Sequence, residues 1–396
     1  MTEVPWVAVG RRVDIQCGMT GHQKIQQALS MDGTPEIPVV ICYEELFIRD
    51  HWDQVTRQPW WAPADPDPER QLAWRADAIR EIGQDWFQVP SCLPRALREQ
   101  VRIVQRGGAV LVVDSAARTE RTLERPRVGG WEPASGCQSV HPTRLPTSFA
   151  EIDQEIAEPA ASAADAGGGV GDLARSLLGG PAAELFPVRA VSSPLWMCYF
   201  LWGFEGMMTT IAQSPDLALH ACERFLAVSL AGVEMAAALG ARAIWIEECL
   251  TDMIGPAAFA ALNAPYVRRL IDAIHSHAMA AIYYYCGDPA PVWREILSLP
   301  FDALSLEESK KGFRIDIEEV VDRVDGRACV LGNLDAMGLL EHGSEGELKA
   351  EIDRQVRAGR RNGSRFIVST GSPVTPRTPA SRVRRYCEIA RELGRA

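Results

Sequence analysis

Ionisable and nucleophilic side chains gather in this sequence at the ends of short apolar runs. In chain order they are Tyr43, Glu44 and Glu45; Ser192 and Ser193; Glu247, Glu248 and Cys249; Tyr284 and Cys286; Glu307 and Glu308; Asn333 and Asp335; and Thr370 with Ser372. A carboxylate in such a position can act as a general acid or base once burial raises its pKa, or it can bind a metal. A thiolate is a soft-metal ligand and a nucleophile. A phenol there hydrogen-bonds a substrate or simply packs a core layer.

The runs that would hold these groups read as strands: Ile37 to Tyr43, Asp85 to Val89, Leu185 to Val191, Ala243 to Glu248, Ala280 to Tyr285, Phe301 to Leu306, Ala328 to Leu331 and Phe366 to Ser369. From about Gly240 onward each is followed by a polar or glycine turn and then a helical pattern, the signature of βα units around a parallel sheet. Helix starts are expected near Gly255-Pro256, Ala290-Pro291, Asp316, Ser344 and Pro379, where proline or a polar cap suits a first turn. A ninth run, Ala109 to Asp114, is assigned to a hairpin with Arg118 to Leu123. Neighbouring carboxylates on a strand point to opposite faces. Glu248, in phase with Ile244 and Ile246, is therefore assigned to the mouth, and Tyr284 to the same side as Ile282 and Cys286.

One domain over residues 1–396 is the simpler organisation, with residues 1–35 as an N-terminal extension. Residues 155–180 are rich in Ala and Gly, a composition that suggests a mobile loop of the kind that covers active sites. With 396 residues, 47% of them hydrophobic and 23% charged, the chain can bury a large core. Its formal charge of −11 is scattered, and no basic stretch carries interleaved aromatics, so nucleic acid is not an expected partner. The longest apolar stretch, Val191 to Phe204, is broken by Pro194 and Gly203 and falls short of the roughly 20 residues of a membrane span. The first residues lack a secretory pattern, so a cytoplasmic protein is expected, with its ten dispersed cysteines reduced.

Among the histidines, His275 and His277 lie near a helix C-terminus, where a positive charge is favourable without any catalytic role. His51 follows the first strand within an acidic and aromatic stretch and is the one assigned near the pocket. Trp52, Trp60, Trp61, Trp74 and Trp86 crowd the N-terminal half. They wall a hydrophobic pocket, or they pack a helical layer against the sheet or a homodimer partner.

Several spaced segments from Pro194 to the C-terminus carry a family resemblance: GFEGMM at Gly203 to Met208, the turn YYCG at Tyr284 to Gly287, GNLD at Gly332 to Asp335, and TGSPVTPRTP at Thr370 to Pro379. Together with the helices between them, they resemble the superfamily of uroporphyrinogen decarboxylase and the zinc-dependent methylcobamide:coenzyme M methyltransferases. The resemblance implies an α/β fold, a (β/α)₈ TIM barrel carrying loop insertions, with the active site at the carboxyl ends of its strands.

In the methyltransferase branch, a His-x-Cys pair and a distant Cys hold zinc, which activates a thiol. This chain has Tyr284-x-Cys286 and, ahead of the Pro-x-Thr-Pro turn, Ser372. A metal would then rest on Cys286 and Glu248, helped by Cys249, His51 or Tyr284. Equally, Cys286 is a small buried hydrophobe. The decarboxylase branch implies an arginine-bearing N-terminal motif, an early Asp and a His, and these positions hold YEELFIRDHW, Gln88 or Val89, and Ser372.

The leading expectation is a methyltransferase or demethylase in which Glu248, Tyr284 and Cys286 carry the chemistry, while Tyr43, Glu45, His51, Glu307 and Ser372 contact a small-molecule substrate. A corrinoid cofactor would come only through a separate corrinoid protein. The alternatives are a metal-free decarboxylase or lyase acting on a small aromatic or heterocyclic acid, and a non-catalytic binding barrel.

Overall fold

The structure, a computed structural model, describes residues 18–129, 140–157, 168–310 and 312–395. Runs rich in Val, Ile and aromatic residues form β1 (Trp86–Gln88), then β5 (Phe186–Ser192), β6 (Ala243–Glu248), β7 (Ala280–Tyr285), β8 (Ala303–Leu306), β9 (Cys329–Leu331) and β10 (Phe366–Ile367). These seven pair in parallel in the order β1-β5-β6-β7-β8-β9-β10, and the sheet curls on itself. Between β1 and β5 lie β2 (Val101–Arg106), β3 (Ala109–Asp114) and β4 (Thr119–Leu123), a separate antiparallel sheet. The expected hairpin is there, extended by β2, whose exposed Arg102, Gln105 and Arg106 hide its strand character.

The first expected strand, Ile37 to Tyr43, is not a ladder strand. It makes one parallel bridge, Val39 with Val368, flanked by Val40 N to Val368 O at 2.9 Å and Val368 N to Pro38 O at 2.9 Å. On its other side Asp85 N donates to Val39 O at 2.9 Å. Side chains take the remaining amides, Asp85 that of Val39 at 2.7 Å and Gln84 that of Ile41 at 2.9 Å. Buried backbone donors must be paired, but a side-chain acceptor serves as well as a ladder. The segment thereby bridges both edges of the curled sheet.

Strand register sorts the side chains into two layers. Ser192, Glu247, Tyr284, Ser305 and Leu331 stand side by side across β5 to β9. Tyr284 and Leu331 belong to the enclosed cluster with Val40, Trp245 and Ile282, which Ile25 and Ala28 of helix Gly21–Leu29 close from below. The alternate positions, Ile244, Ile246, Tyr283 and Tyr285, pack outward against the helices.

Three helix caps stand where sequence puts them: Asp316 accepts from Glu318 N, Ser344 forms a capping box with Glu347, and Pro379 precedes helix Ala380–Gly394. Helix Pro194–Gln213 is kinked at Gly203, with φ of 68°, where a Cβ would stand 2.6 Å from Val140 O. Part of the expected mobile loop is ordered, since residues 172–178 form a helix that buries Leu173, Ala174 and Leu177, while residues 158–167 lie outside the described residues. Among the described residues no helix is long and apolar enough to cross a membrane.

Candidate active site

Tyr43 ends the bridging segment in the left-handed region, φ 54° and ψ 48°, and precedes helix Glu44–Asp50. That turn sends its phenol back over the sheet, where it donates to Glu247 Oε1 at 2.7 Å. Ser192 Oγ approaches the other carboxylate oxygen of Glu247 at 3.4 Å. The Tyr43 ring meets Tyr284 edge-on, 5.7 Å between centroids, and Tyr284 stacks on Trp245 at 4.9 Å. Burial holds the pKa of both phenols well above its ordinary value, so both are proton carriers at neutral pH.

Tyr284 OH donates to Gly371 O at 3.1 Å, tying the end of β7 to the turn that carries Ser372. Cys286 N donates to Glu248 O at 2.9 Å, continuing the β6 to β7 register so that Cys249 and Cys286 stand abreast. Both residues are half-buried. The adjoining Cys286 thiol and burial push the Cys249 thiol well above the ordinary range.

A second cluster completes the mouth. Lys310 Nζ contacts Glu307 Oε1, lies 3.8 Å from Glu308 Oε1 and donates to Ser372 Oγ at 2.5 Å. Burial works against the ammonium, but Glu308 and Glu307 outweigh it and raise the Lys310 pKa, with Cys286 adding to the effect. Burial also raises Glu308. Lys310 was missed by sequence reasoning, and its signal was the i, i+3 spacing from Glu307.

Glu248 requires a correction. Its phase with Ile244 and Ile246 is real, but those residues face the helices, so Glu248 points away from the enclosed side and Glu247 points into it. Glu248 is fully buried, accepts from Ser193 Oγ at 2.8 Å, and has Tyr283 OH at 3.5 Å. Burial lifts its pKa to about 8.

The other expected residues scatter. His51 is buried, stacks on Phe47 at 4.3 Å and directs Nδ1 to Phe47 O at 3.0 Å. That ring belongs to the core under helix Glu44–Asp50 rather than to the mouth. Glu45 is exposed and lines a separate cavity with Trp52 and Arg75. Glu44, raised to about 7 by burial, accepts from Gln88 N at 2.8 Å. Asn333 fixes the loop by donating to Glu307 O and Ile315 O, and Asp335 caps the following helical turn. His275 stands in a last helical turn, 2.8 Å from Asp302.

The donors do not make up the implied zinc site. Zinc takes three or four protein ligands. Cys249 and Cys286 are two; Glu248 faces the wrong layer, His51 is in the core, and Ser372 is engaged by an ammonium. Among the described residues no group of three His, Cys, Asp or Glu is disposed to hold a metal ion.

The profile of the uroporphyrinogen decarboxylase (URO-D) family matches residues 186–393. Over 157 residues the chain is 28% identical to a uroporphyrinogen decarboxylase of Solibacter usitatus, covering 39% of this chain and 43% of that one. Over 140 residues it is 22% identical to a methylcobamide:CoM methyltransferase of Methanosarcina mazei, 35% of this chain and 38% of that one. These matches span less than half the length of the curated relatives. Among solved structures, a methyltransferase from Methanosarcina mazei superposes with a TM-score of 0.65 at 17% identity, covering 95% of this chain and 99% of that one, a likeness of fold.

Proposed function

The chain belongs to the uroporphyrinogen decarboxylase family, and on that premise we propose that it is a methyltransferase or demethylase acting on a small molecule at the mouth of a (β/α)₈ barrel that the 38–42 segment closes. The observation that carries this reading is the meeting of Cys286 and Ser372 beside the Lys310 ammonium, with Tyr284 OH held on the adjoining Gly371 O. These are the positions at which the resemblance expects metal ligands. Here a fixed cation stands beside them, where it can steady negative charge on a bound substrate.

Removing a methyl group from a heteroatom leaves an electron pair that needs a proton. Tyr43, kept protonated by burial and hydrogen-bonded to Glu247 Oε1, supplies a proton at its phenolic oxygen, and Glu247 orients it. Carboxylates outnumber ammonium groups at this mouth, which disfavours a tetrapyrrole bearing many carboxylates. The methylcobamide relative supports a separate corrinoid protein as the methyl carrier.

The test is to follow methyl transfer from a panel of small methyl ethers and thioethers to cob(I)alamin, kept reduced, by the change in cobalamin absorption. Turnover above background that falls about 10²-fold in Tyr43→Phe, with KM little changed, supports the reading. A second reading, a metal-free decarboxylase or lyase acting on a small aromatic or heterocyclic acid, is favoured by Lys310, a cation that a carboxylate can address. No methyl loss, with carbon dioxide released from a panel of such acids, would overturn the first reading for the second.

A further inference from the structure

Helix Glu44–Asp50 and the turn after it carry a second constellation, apart from the mouth. Glu45, Ile48, Arg49 and Trp52 follow i, i+3, i+4, i+7 spacing, so they share one face. That face lines a cavity of about 240 Å³ together with Trp60, Trp74, Arg75 and Arg125. The tryptophans satisfy their polar atoms elsewhere, Trp52 Nε1 donating to Gln58 O at 2.8 Å and Trp74 Nε1 to Gln71 Oε1 at 3.1 Å. Trp52 and Trp74 pack on each other, 5.3 Å apart and tilted by 54°, and form one apolar wall of the cavity.

The guanidiniums are only partly satisfied. Arg49 Nε donates to Asp50 at 2.8 Å, Arg125 pairs with Asp53 at 2.6 Å, and Arg75 lies 4.0 Å over the Trp74 ring. Yet Arg49 Nη2 and Arg75 Nε are buried with no hydrogen-bond partner among the described residues. Leaving charged donors buried and unpaired is costly, so the arrangement calls for an acceptor from outside. With Asp50 and Asp53 taking one donor each from Arg49 and Arg125, the unused donors of the lining are those of Arg49 Nη2 and Arg75 Nε.

We propose that this cavity is a binding site for a planar aromatic carboxylate, its ring held against the wall formed by Trp52, Trp60 and Trp74 and its carboxylate accepting from Arg49 and Arg75. The pairing follows from chemistry: indole faces stack on aromatic rings, and a guanidinium matches the two oxygens of a carboxylate. Size narrows the class further. A cavity of about 150 Å³ holds one benzene ring. The present cavity therefore admits one substituted ring or a fused pair and is too small for a tetrapyrrole. The inference stands independently of whether the mouth transfers methyl groups.

Isothermal calorimetry with benzoate, its neutral analogue benzamide and the ring-less acetate tests it on the full chain. Saturable benzoate binding is expected, about tenfold or more tighter than either analogue. Arg49→Gln should weaken benzoate at least tenfold while leaving benzamide unchanged, with thermal melting confirming the fold. Should that variant not fold, Trp60→Ala, whose ring is partly exposed, tests the same cavity and is expected to abolish benzoate binding. Equal affinity for benzoate and benzamide, an unchanged affinity in folded Arg49→Gln or in Trp60→Ala, or no saturable heat from benzoate would each overturn the proposal.

Discussion

Replacing Glu248 by glutamine makes the stability of this protein less dependent on pH, and the size of the effect follows from the structure. The carboxyl is fully buried beneath helix Pro194–Gln213, with Ser193, Tyr283 and Asn263 around it and no cation among the causes that shift it. Burial raises its pKa from 4.5 to about 8. Below pH 4.5 the group is protonated in both the folded and the unfolded chain and imposes no penalty. Between these values the unfolded carboxyl ionises while the folded one does not, so stability falls as pH rises and levels off only above the folded pKa. A shift of that size corresponds to about 5 kcal/mol in full, of which about 3 to 4 kcal/mol lies between pH 5 and pH 8.

Glutamine has nearly the same shape and can still accept from Ser193 and donate to the buried Oδ1 of Asn263, which has no partner among the described residues. Wild type and Glu248→Gln should thus differ little at pH 5, and the variant should gain roughly 3 kcal/mol relative to wild type by pH 8. Urea unfolding with linear extrapolation, run on both proteins at each pH with reductant, measures the difference. Other titrating groups cancel between the two proteins. A gap that does not change with pH, or one that moves in favour of wild type as pH rises, would show that Glu248 is ionised in the folded state and would refute the argument.

Other outcomes can be checked in parallel. Lys310→Met leaves Glu307 and Glu308 without their ammonium and should lower unfolding free energy by roughly 3–5 kcal/mol at pH 8. The loss should shrink as pH falls, because burial makes Glu308 take up a proton more readily than an ordinary carboxylate. In Gly359→Ala the new Cβ would lie 2.4 Å from Phe366 Cγ. This should push helix Glu345–Arg361 off β10 and cost about 1–3 kcal/mol, read as a lower denaturation midpoint at unchanged slope. Protein purified without chelators or a polyhistidine tag should hold far less than one equivalent of zinc by metal analysis. Tyr284→His combined with Ser372→Cys should raise zinc binding toward one equivalent by completing a three-ligand set.

Much of the scaffold was legible because local physics encodes it. The strands from Phe186 to Ile367 are apolar runs bounded by turns, and Asp316, Ser344 and Pro379 mark helix starts whatever surrounds them. The clustering of Tyr284, Cys286, Glu307 and Ser372 at one end of the sheet likewise follows from their lying at or just beyond the ends of strands of one parallel sheet, whereas Tyr43 joins them from a segment that makes only one bridge.

Orientation was not legible. A strand buried on both faces carries apolar residues on both, so Ala243 and Trp245 on one side of β6 look no more interior than Ile244 and Ile246 on the other. Which of Glu247 and Glu248 entered the enclosed side therefore waited on the curl of the sheet. The pairing of Tyr43 with Glu247 spans 204 positions, and the seating of Lys310 on Ser372 spans 62. Contacts at such separation leave no local pattern. The residue types and the strands that bear them are written into the chain, whereas their partners, their facing and hence their protonation exist only once distant segments close around a common interior and exclude water from it.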